Sequence, residues 1–518
     1  MPSIPVLTPE QAGRWDAASE AAGVPTRVLM ESAGRAVATV LVDRLPAACR
    51  QGVLVAAGTG NNGGDGWVLA RALHALGLPC WVAPMPGAPS PLHASVAAVA
   101  RADGVREVAP DGPWPAAGVV VDALLGTGAR GAPRGPGAEV MHRIADLRLP
   151  VVAVDGPTGL DLNDGVSHDA LRAVLTITFG GYRRGHLLSR DDCGDLVVVD
   201  IGFTAAAPEW PTLVGVDTVL SLLPPLPTHA HKGTRGRVVI LGGDVGMSGA
   251  ARLAGRAAFS AGAGLVHVVA PAGSVAILAA AEPDLQTLVQ DLDAPLGTPA
   301  AALLAKADAV VIGPGLGRSP ARGDLVLEAL RVARQVVLDA DGLTLLQGRL
   351  PAVAEACAGK RVLMTPHLGE FRALFPADSA MAAVDPWGAA GRAADASGAT
   401  ILLKGVPTVV AAGGATPVLT IAAGNPGLAT GGSGDCLSGL AATFLAQGMS
   451  SRDAGATAAL ALGGTADLAA RRTGARALRP MDLLASLPDL WREWERRREQ
   501  RPMPRPPILH ELPLPRRT

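Results

Sequence analysis

The sequence predicts two α/β domains in succession, each a mostly parallel sheet covered by helices on both faces. Three observations predict it. A chain of 518 residues exceeds what one hydrophobic core usually supports. Short apolar runs alternate with helical patterns along most of its length. A proline-rich stretch around 207–230, PEWPTLVGVDTVLSLLPPLPTHA, interrupts that alternation and marks a boundary.

Leu7 to Leu45 reads as helical. After it, QGVLVAAG (51–58), PCWVAPM (79–85), GVVVDALLG (118–126) and PVVAVDGP (150–157) read as buried strands, with helical patterns between them. DLVVVDIGF (195–203) closes this half. A second alternating series starts at RVVILGG (237–243) and runs through LVHVVAP, DAVVIGPGLG, QVVLDADGLTLL, RVLMTPH and ATILLKG. Two Ala-rich helical patterns follow, 434–447 and 452–472. The expected domains are 1–215 and 222–490, with 491–518, rich in charge and proline, as a flexible tail.

Half of the chain is apolar and 18% is charged, which suits packed cores and not disorder. The net charge of -1 argues against a nucleic-acid or anionic-membrane partner. Five cysteines stand apart with no CxxC pair, as buried thiols in a reducing compartment would. No signal segment or membrane-length apolar run is visible, and a cytoplasmic location is expected. Small molecules are the expected partners, with self-association into a homo-oligomer. Lysine occurs only at Lys232, Lys306, Lys360 and Lys404, so each survivor of the arginine bias merits inspection.

GTGNNGGDG (58–66) lies between a strand and a helix and formally satisfies GxGxxG. The dinucleotide fold also needs an acid about 20 residues on, at the end of the next strand. PCWVAPMPG offers none there, so simple dehydrogenase chemistry is disfavoured. Such glycine density fits a backbone that turns tightly and presents N–H groups to an anion. Asp65 could be a plain N-cap. Asp122 and Asp155 each end a buried apolar strand, costly unless paired or bound to a cation. With Asn62 they make an oxygen-rich set suited to K⁺.

NNGGDG, VDALLGTGARG and DGPTGLD together resemble the epimerase domain of the NAD(P)H-hydrate repair family, over roughly 7–205. The resemblance implies a Rossmann-like three-layer domain in which Asn62, Asp122 and Thr158 hold K⁺. It also implies a hydrate site lined by Asn61, Asn62, Gly63, Gly64 and Asp65, by Gly126, Thr127, Gly128, Ala129, Arg130, Gly131 and Ala132, and by Asp155 as acid–base residue. The family carries Ser at the Thr158 position. It has a branched residue where this chain has Gly156, which should loosen local packing.

No Walker motif occurs. GNPGLATGGSGD (424–435) instead leads into a long helix, and its glycines bring backbone N–H groups to the positive end of the helix dipole. That is an anion hole for a phosphoryl group, and Asp435 in the first turn is either a cap or a general base. The motif resembles that of the ribokinase-like superfamily, an α/β/α fold, over roughly 222–485. HKGTRGRVVILGG, GMSGAARLAGRAAFSAGAGLVHV, GPGLG, TPHLGE and KGVPT recur in the order of the ADP-dependent NAD(P)H-hydrate dehydratase. The resemblance implies Asp435 as the catalytic residue, and Ala263, Gly317, His367 and Asp435 around the hydrate. It places the nucleotide on Lys404, Gly405, Val406, Pro407, Thr408 and Gly434. Glu370 is a further candidate, for capping the helix after His367. Mg²⁺ is expected as the companion of phosphoryl transfer, with no ligand triad in view.

The activity implied is repair: R and S forms of hydrated NADH and NADPH are epimerised, and the S form is dehydrated with ADP, releasing AMP and phosphate. Two other readings stay open from the residues alone. One is a ribokinase-like vitamin or sugar kinase fused to a Rossmann-like ligand-binding domain; the other is a non-catalytic nucleotide sensor.

Overall fold

The apolar runs of the first half become strands of one sheet in the computed structural model, which describes residues 4–226, 228–500, 503 and 505–515. Two compact units result: 1–210 with 503–514, and 211–502 with 515–518. The division falls after Trp210 because the short strand Thr212–Leu213 pairs in parallel with Leu419–Ile421 of the second unit.

In the first unit the strands lie in the order 508–512, 195–199, 175–179, 151–154, 119–123, 53–57, 80–84, 106–107, all parallel except the first. Alternate residues feed two cores. Val53, Val55 and Ala57 pack with helices Thr26–Arg44, Asn61–Ala75 and Pro91–Ala102, whereas Leu54 and Ala56 pack with Pro136–Leu147. The three-layer α/β arrangement is therefore as expected. Strand order reverses between 53–57 and 119–123. Loops at the C-terminal ends of such strands diverge and open a crevice.

The second unit runs 286–289, 265–270, 237–241, 309–312, 335–338, 361–364, 400–403, 408–411, 419–421, 212–213. It is parallel through 400–403, then turns back in two antiparallel pairings. Val238 and Ile240 join a core with helices Ser248–Ser260, Ser433–Ala446, Ser451–Thr473 and Pro480–Gln500. The alternate residues Val239, Leu241, Val336 and Leu338 are fully buried too, so both faces are covered. Order reverses here between 237–241 and 309–312.

Two expectations change. Leu7–Leu45 is not one helix. Ile4–Leu7 is a strand, and helices Pro9–Ala21 and Thr26–Arg44 are separated at Gly23 (φ 96°) and Pro25. Nor do the described residues of 491–518 form a flexible tail. Their charges are the wet side of an amphipathic helix that continues to Gln500, burying Leu490 and Trp494, and Arg497 grips Asp217 with two hydrogen bonds of 2.6 and 2.9 Å. Beyond it, Ile508–Leu512 adds an antiparallel edge strand to 195–199. There His510 meets the Tyr182 hydroxyl at 2.8 Å, Glu511 pairs with Arg44, and Arg190 donates to the carbonyls of Leu512 and Pro513. All five cysteines are buried and free.

Ending the chain after Gln500 strips that edge. We expect the first unit to melt roughly 6–12 °C lower, from about 3 kcal/mol of lost packing and hydrogen bonding at about 2–4 °C per kcal/mol. Calorimetry of the truncated and full chains would check this, and an unchanged transition would refute it.

Candidate active sites

In the first unit a cleft of about 800 Å³ opens at the strand-order reversal, lined by Asn61, Asn62, Asp65, Gly126–Ala129 and Asp155 among the expected residues. Gly63 and Gly64 lie behind it. A Cβ at Gly63 would overlap the Gly58 carbonyl, so the loop can close against the helix start only as glycine. Arg130, Gly131 and Ala132 are not among the lining residues, and Arg130 pairs with Glu10. Asp65 is not an N-cap: Gly60 holds that place, and Asp65 lies inside the helix with its carboxyl towards the cleft.

Asp122 and Thr158 lock together below the cleft. Both Asp122 oxygens accept from Thr158, at 2.7 Å from its amide and 2.7 Å from its hydroxyl, and the Leu124 amide adds a third bond at 3.2 Å. Burial pushes Asp122 up to about 6, with these donors opposing. Asn62 is 8% exposed, and neither polar atom of its side chain has a partner among the described residues. A buried amide left that way costs about 1–3 kcal/mol unless something is bound there. The donor set of amide, carboxylate and hydroxyl oxygens fits a large monovalent cation.

Asp155 belongs to a separate cluster, not to the cation set that strand ends alone suggested. It sits at φ 65°, a strained placement that Asp tolerates better than most residues. The Arg183 amide donates to His186 Nδ1 at 3.0 Å, which leaves the ring proton on Nε2. That proton is given to the Asp155 carbonyl at 2.7 Å. The Asp155 carboxylate accepts from the Thr127 amide (2.8 Å) and hydroxyl, the Thr178 hydroxyl (3.1 Å) and Arg183 (3.3 Å). Burial would raise its pKa, but Arg183, Thr127 and His186 outweigh burial and hold it below the usual carboxylate range. Gly156 does not loosen the packing here. A Cβ there would come within 2.7 Å of Leu162, whose side chain already fills the space.

In the second unit the site forms where helix Ser433–Ala446 begins, with Gly432 at φ 95° as its N-cap. Asp435 is in the first turn and makes no capping bond. Lys404, at the end of strand 400–403, is no surface lysine. Its side chain is 22% exposed and its Nζ donates to Asp339 at 2.9 Å, with Glu370 at 3.6 Å. Ser438 holds the other Asp339 oxygen at 2.6 Å. Burial would lower Lys404, but Asp339 and Glu370 raise it. Burial, with Asp339 beside it, pushes Asp435 up to about 7.

Gly434 joins this group, since a Cβ on it would stand 3.5 Å from Lys404 Nζ. Gly405 and Thr408 close a turn by paired bonds of 3.4 and 3.2 Å that leaves Val406 74% exposed; Pro407 lies within it. His367 caps helix Leu368–Leu374, accepting from the Gly369 and Glu370 amides, while Glu370 caps in return at 2.8 Å. The Gly317 amide donates to Asp341 at 3.0 Å. Ala263 stands apart, 3% exposed in the core before strand 265–270, at the opposite strand end. Among the described residues no three His, Cys, Asp or Glu side chains group as a metal centre.

Sequence reasoning missed Asp16, Arg183 and Asp339. Asp339 ends a buried apolar strand just as Asp122 does, so the same argument would have found it. Arg183 carries no local signal.

A glycine-flanked site in each unit, the first at a sheet reversal and the second at a helix N-terminus beside the ends of strands 335–338 and 400–403, defines an enzyme-like pairing of two ligand-binding α/β units. The NAD(P)H-hydrate dehydratase family model matches 238–489, and the model for the YjeF-related protein N-terminus matches 26–185. The bifunctional NAD(P)H-hydrate repair enzyme Nnr of Pyrobaculum aerophilum is 36% identical over 503 residues, 92% of this chain and 96% of its own. That of Escherichia coli is 37% identical over 91% of this chain and 90% of its own. The solved ADP/ATP-dependent NAD(P)H-hydrate dehydratase from Bacillus subtilis is 26% identical, covering 54% of this chain and 97% of that one with a TM-score of 0.47. The chain belongs to the bifunctional NAD(P)H-hydrate repair enzyme family.

Proposed function

We propose that the first unit interconverts the R and S forms of hydrated NADH and NADPH, and that the second dehydrates the S form with ADP. The observation that supports this best is the likeness to whole repair enzymes across both units, with a first-turn aspartate and a buried Lys404–Asp339 pair meeting at one helix N-terminus.

Hydroxide is a poor leaving group. Asp435 takes the proton of the hydrate hydroxyl as it attacks the β-phosphoryl group of ADP. The N-terminal amides of helix 433–446 and Lys404 face the charge that develops. AMP leaves, the ring nitrogen's lone pair expels phosphate, and the adjacent ring carbon gives up a proton, which departs with the phosphate, so that the planar dihydropyridine is restored. Mg²⁺, when bound, would neutralise phosphate charge; with no cluster of three metal-ligating side chains among the described residues, it would arrive on the nucleotide. Asn62, Asp122 and Thr158 would hold K⁺, which supplies a fixed positive charge under the first cleft. Asp155 is the ionised group of that cleft. A cytoplasmic location and a homo-oligomer complete the reading; among the described residues no helix is long and apolar enough to cross a membrane.

The test is to incubate the protein with hydrated NADH and ADP and follow the return of the NADH absorbance band. Recovery with ATP alone, or none, would sink the claim. A second measurement concerns the cation. Epimerisation should be faster in K⁺ than in a large organic cation, and Asn62→Ala should erase that difference. Equal cation response in variant and parent would remove Asn62 from the site.

A further inference from the structure

Resting on the epimerase reading of the first unit, we propose that the Asp65 carboxyl is its proton-transfer group, exchanging one proton for another with the hydrate in a single bidentate contact. The Asp155 carboxylate is badly placed for that task. It already accepts from four donors, Thr127 twice, Thr178 and Arg183, so its lone-pair sites are taken.

Asp65 is its opposite. It projects into the same cleft from helix Asn61–Ala75, and among the described residues it has neither hydrogen bond nor ion pair. Its neighbours across the cleft are Asp155, ionised and satisfied by Arg183, and Asp16 from helix Pro9–Ala21. On the two helices packed against 61–75, Glu31 is engaged by Arg71 and His93 Nδ1 meets the Gly60 carbonyl at 3.0 Å. Burial, with Asp155 and Asp16 facing it, pushes Asp65 well above the usual carboxylate range. Two carboxyls whose surroundings drive them apart in this way divide the work of a site. Asp155 is the fixed anion and Asp65 the neutral acid.

The hydrate is a carbinolamine: its hydroxyl and ring nitrogen share one carbon, within the span of one carboxyl group. The carbonyl oxygen of Asp65 takes the hydroxyl proton as the C=O bond forms. The ring C–N bond breaks, and its electron pair goes to nitrogen, which takes the proton from the Asp65 hydroxyl. The opened aldehyde turns its other face, and the same steps reversed close the ring with inverted configuration. Asp65 ends neutral, as it began.

The experiment starts from the resolved R hydrate and the full chain. If the wild type does not epimerise it, the epimerase reading fails and not this one. If it does, Asp65→Asn should lower kcat by about 10²–10⁴-fold with KM within about threefold. ADP-dependent dehydration of the S form should be unchanged, which reports a folded chain. Asp16→Asn removes a neighbouring charge and not the transferring group, so its loss of kcat should be at least about tenfold smaller than that of Asp65→Asn. An Asp65→Asn rate within threefold of wild type, or a loss seen only on replacing Asp16, overturns the assignment. Epimerisation by the wild type in ¹⁸O-water serves should the variant not fold. Retention of the hydroxyl oxygen is expected, and one labelled oxygen gained per inversion overturns ring opening.

Discussion

Replacing Asp435 by Asn is expected to lower kcat/KM for ADP-dependent dehydration by about 10²–10⁴-fold, or about 3–5 kcal/mol of transition-state stabilisation. Epimerisation should continue, because Asp435 lies in the other compact unit. In the parent, kcat/KM should climb with pH and level off above about 7, where Asp435 has lost its proton; the variant's residual rate should lack that limb. Stability should move the other way. Burial raises the folded pKa above the unfolded one, so the proton-bound form stabilises the fold at low pH, and that contribution is lost as pH rises through about 7. A neutral amide avoids the loss, and the variant should melt higher than the parent at pH 8. Equal activity, or a lower melting temperature at pH 8, would contradict the role assigned to this carboxylate.

Asp155→Asn should abolish measurable epimerisation and spare dehydration. The amide keeps an acceptor for Thr127 but leaves the Arg183 guanidinium, 5% exposed, without its counter-charge. Breaking a buried pair from one side costs about 3–5 kcal/mol, so the first unit should also melt earlier. In the parent, Asp155 is held below the usual carboxylate range, so the stability it contributes is present at neutral pH. That contribution should disappear only below about pH 4, as the carboxylate takes up its proton. If both activities fall together in either variant, the two-site division is wrong.

Local, repeated patterns were legible in the sequence. Both sheets announced themselves through apolar runs such as VLVAA (53–57) and VVIL (238–241), which read the same in one dimension as in three. The glycine loops were legible because glycine at such density has few other reasons to exist. Groups assembled by the fold were not. Arg183 reaches Asp155 across 28 residues, and Lys404 reaches Asp339 across 65, so neither partner signals the other in a local window. The last segment misled for a different reason. Charge and proline mark disorder only when no apolar stripe runs beneath, and Leu490 and Trp494 supply that stripe.

The edge strand 508–512 sets an order of events during synthesis. The first unit lacks its outermost strand until the ribosome has made the whole second unit, an interval of roughly 15–60 s at typical elongation rates. During it, strand 195–199 presents an open row of amides and carbonyls to whatever chain is nearby. A cell making this protein therefore has a strong reason to keep a chaperone on the nascent chain, and fast translation through 211–502 would shorten the exposure.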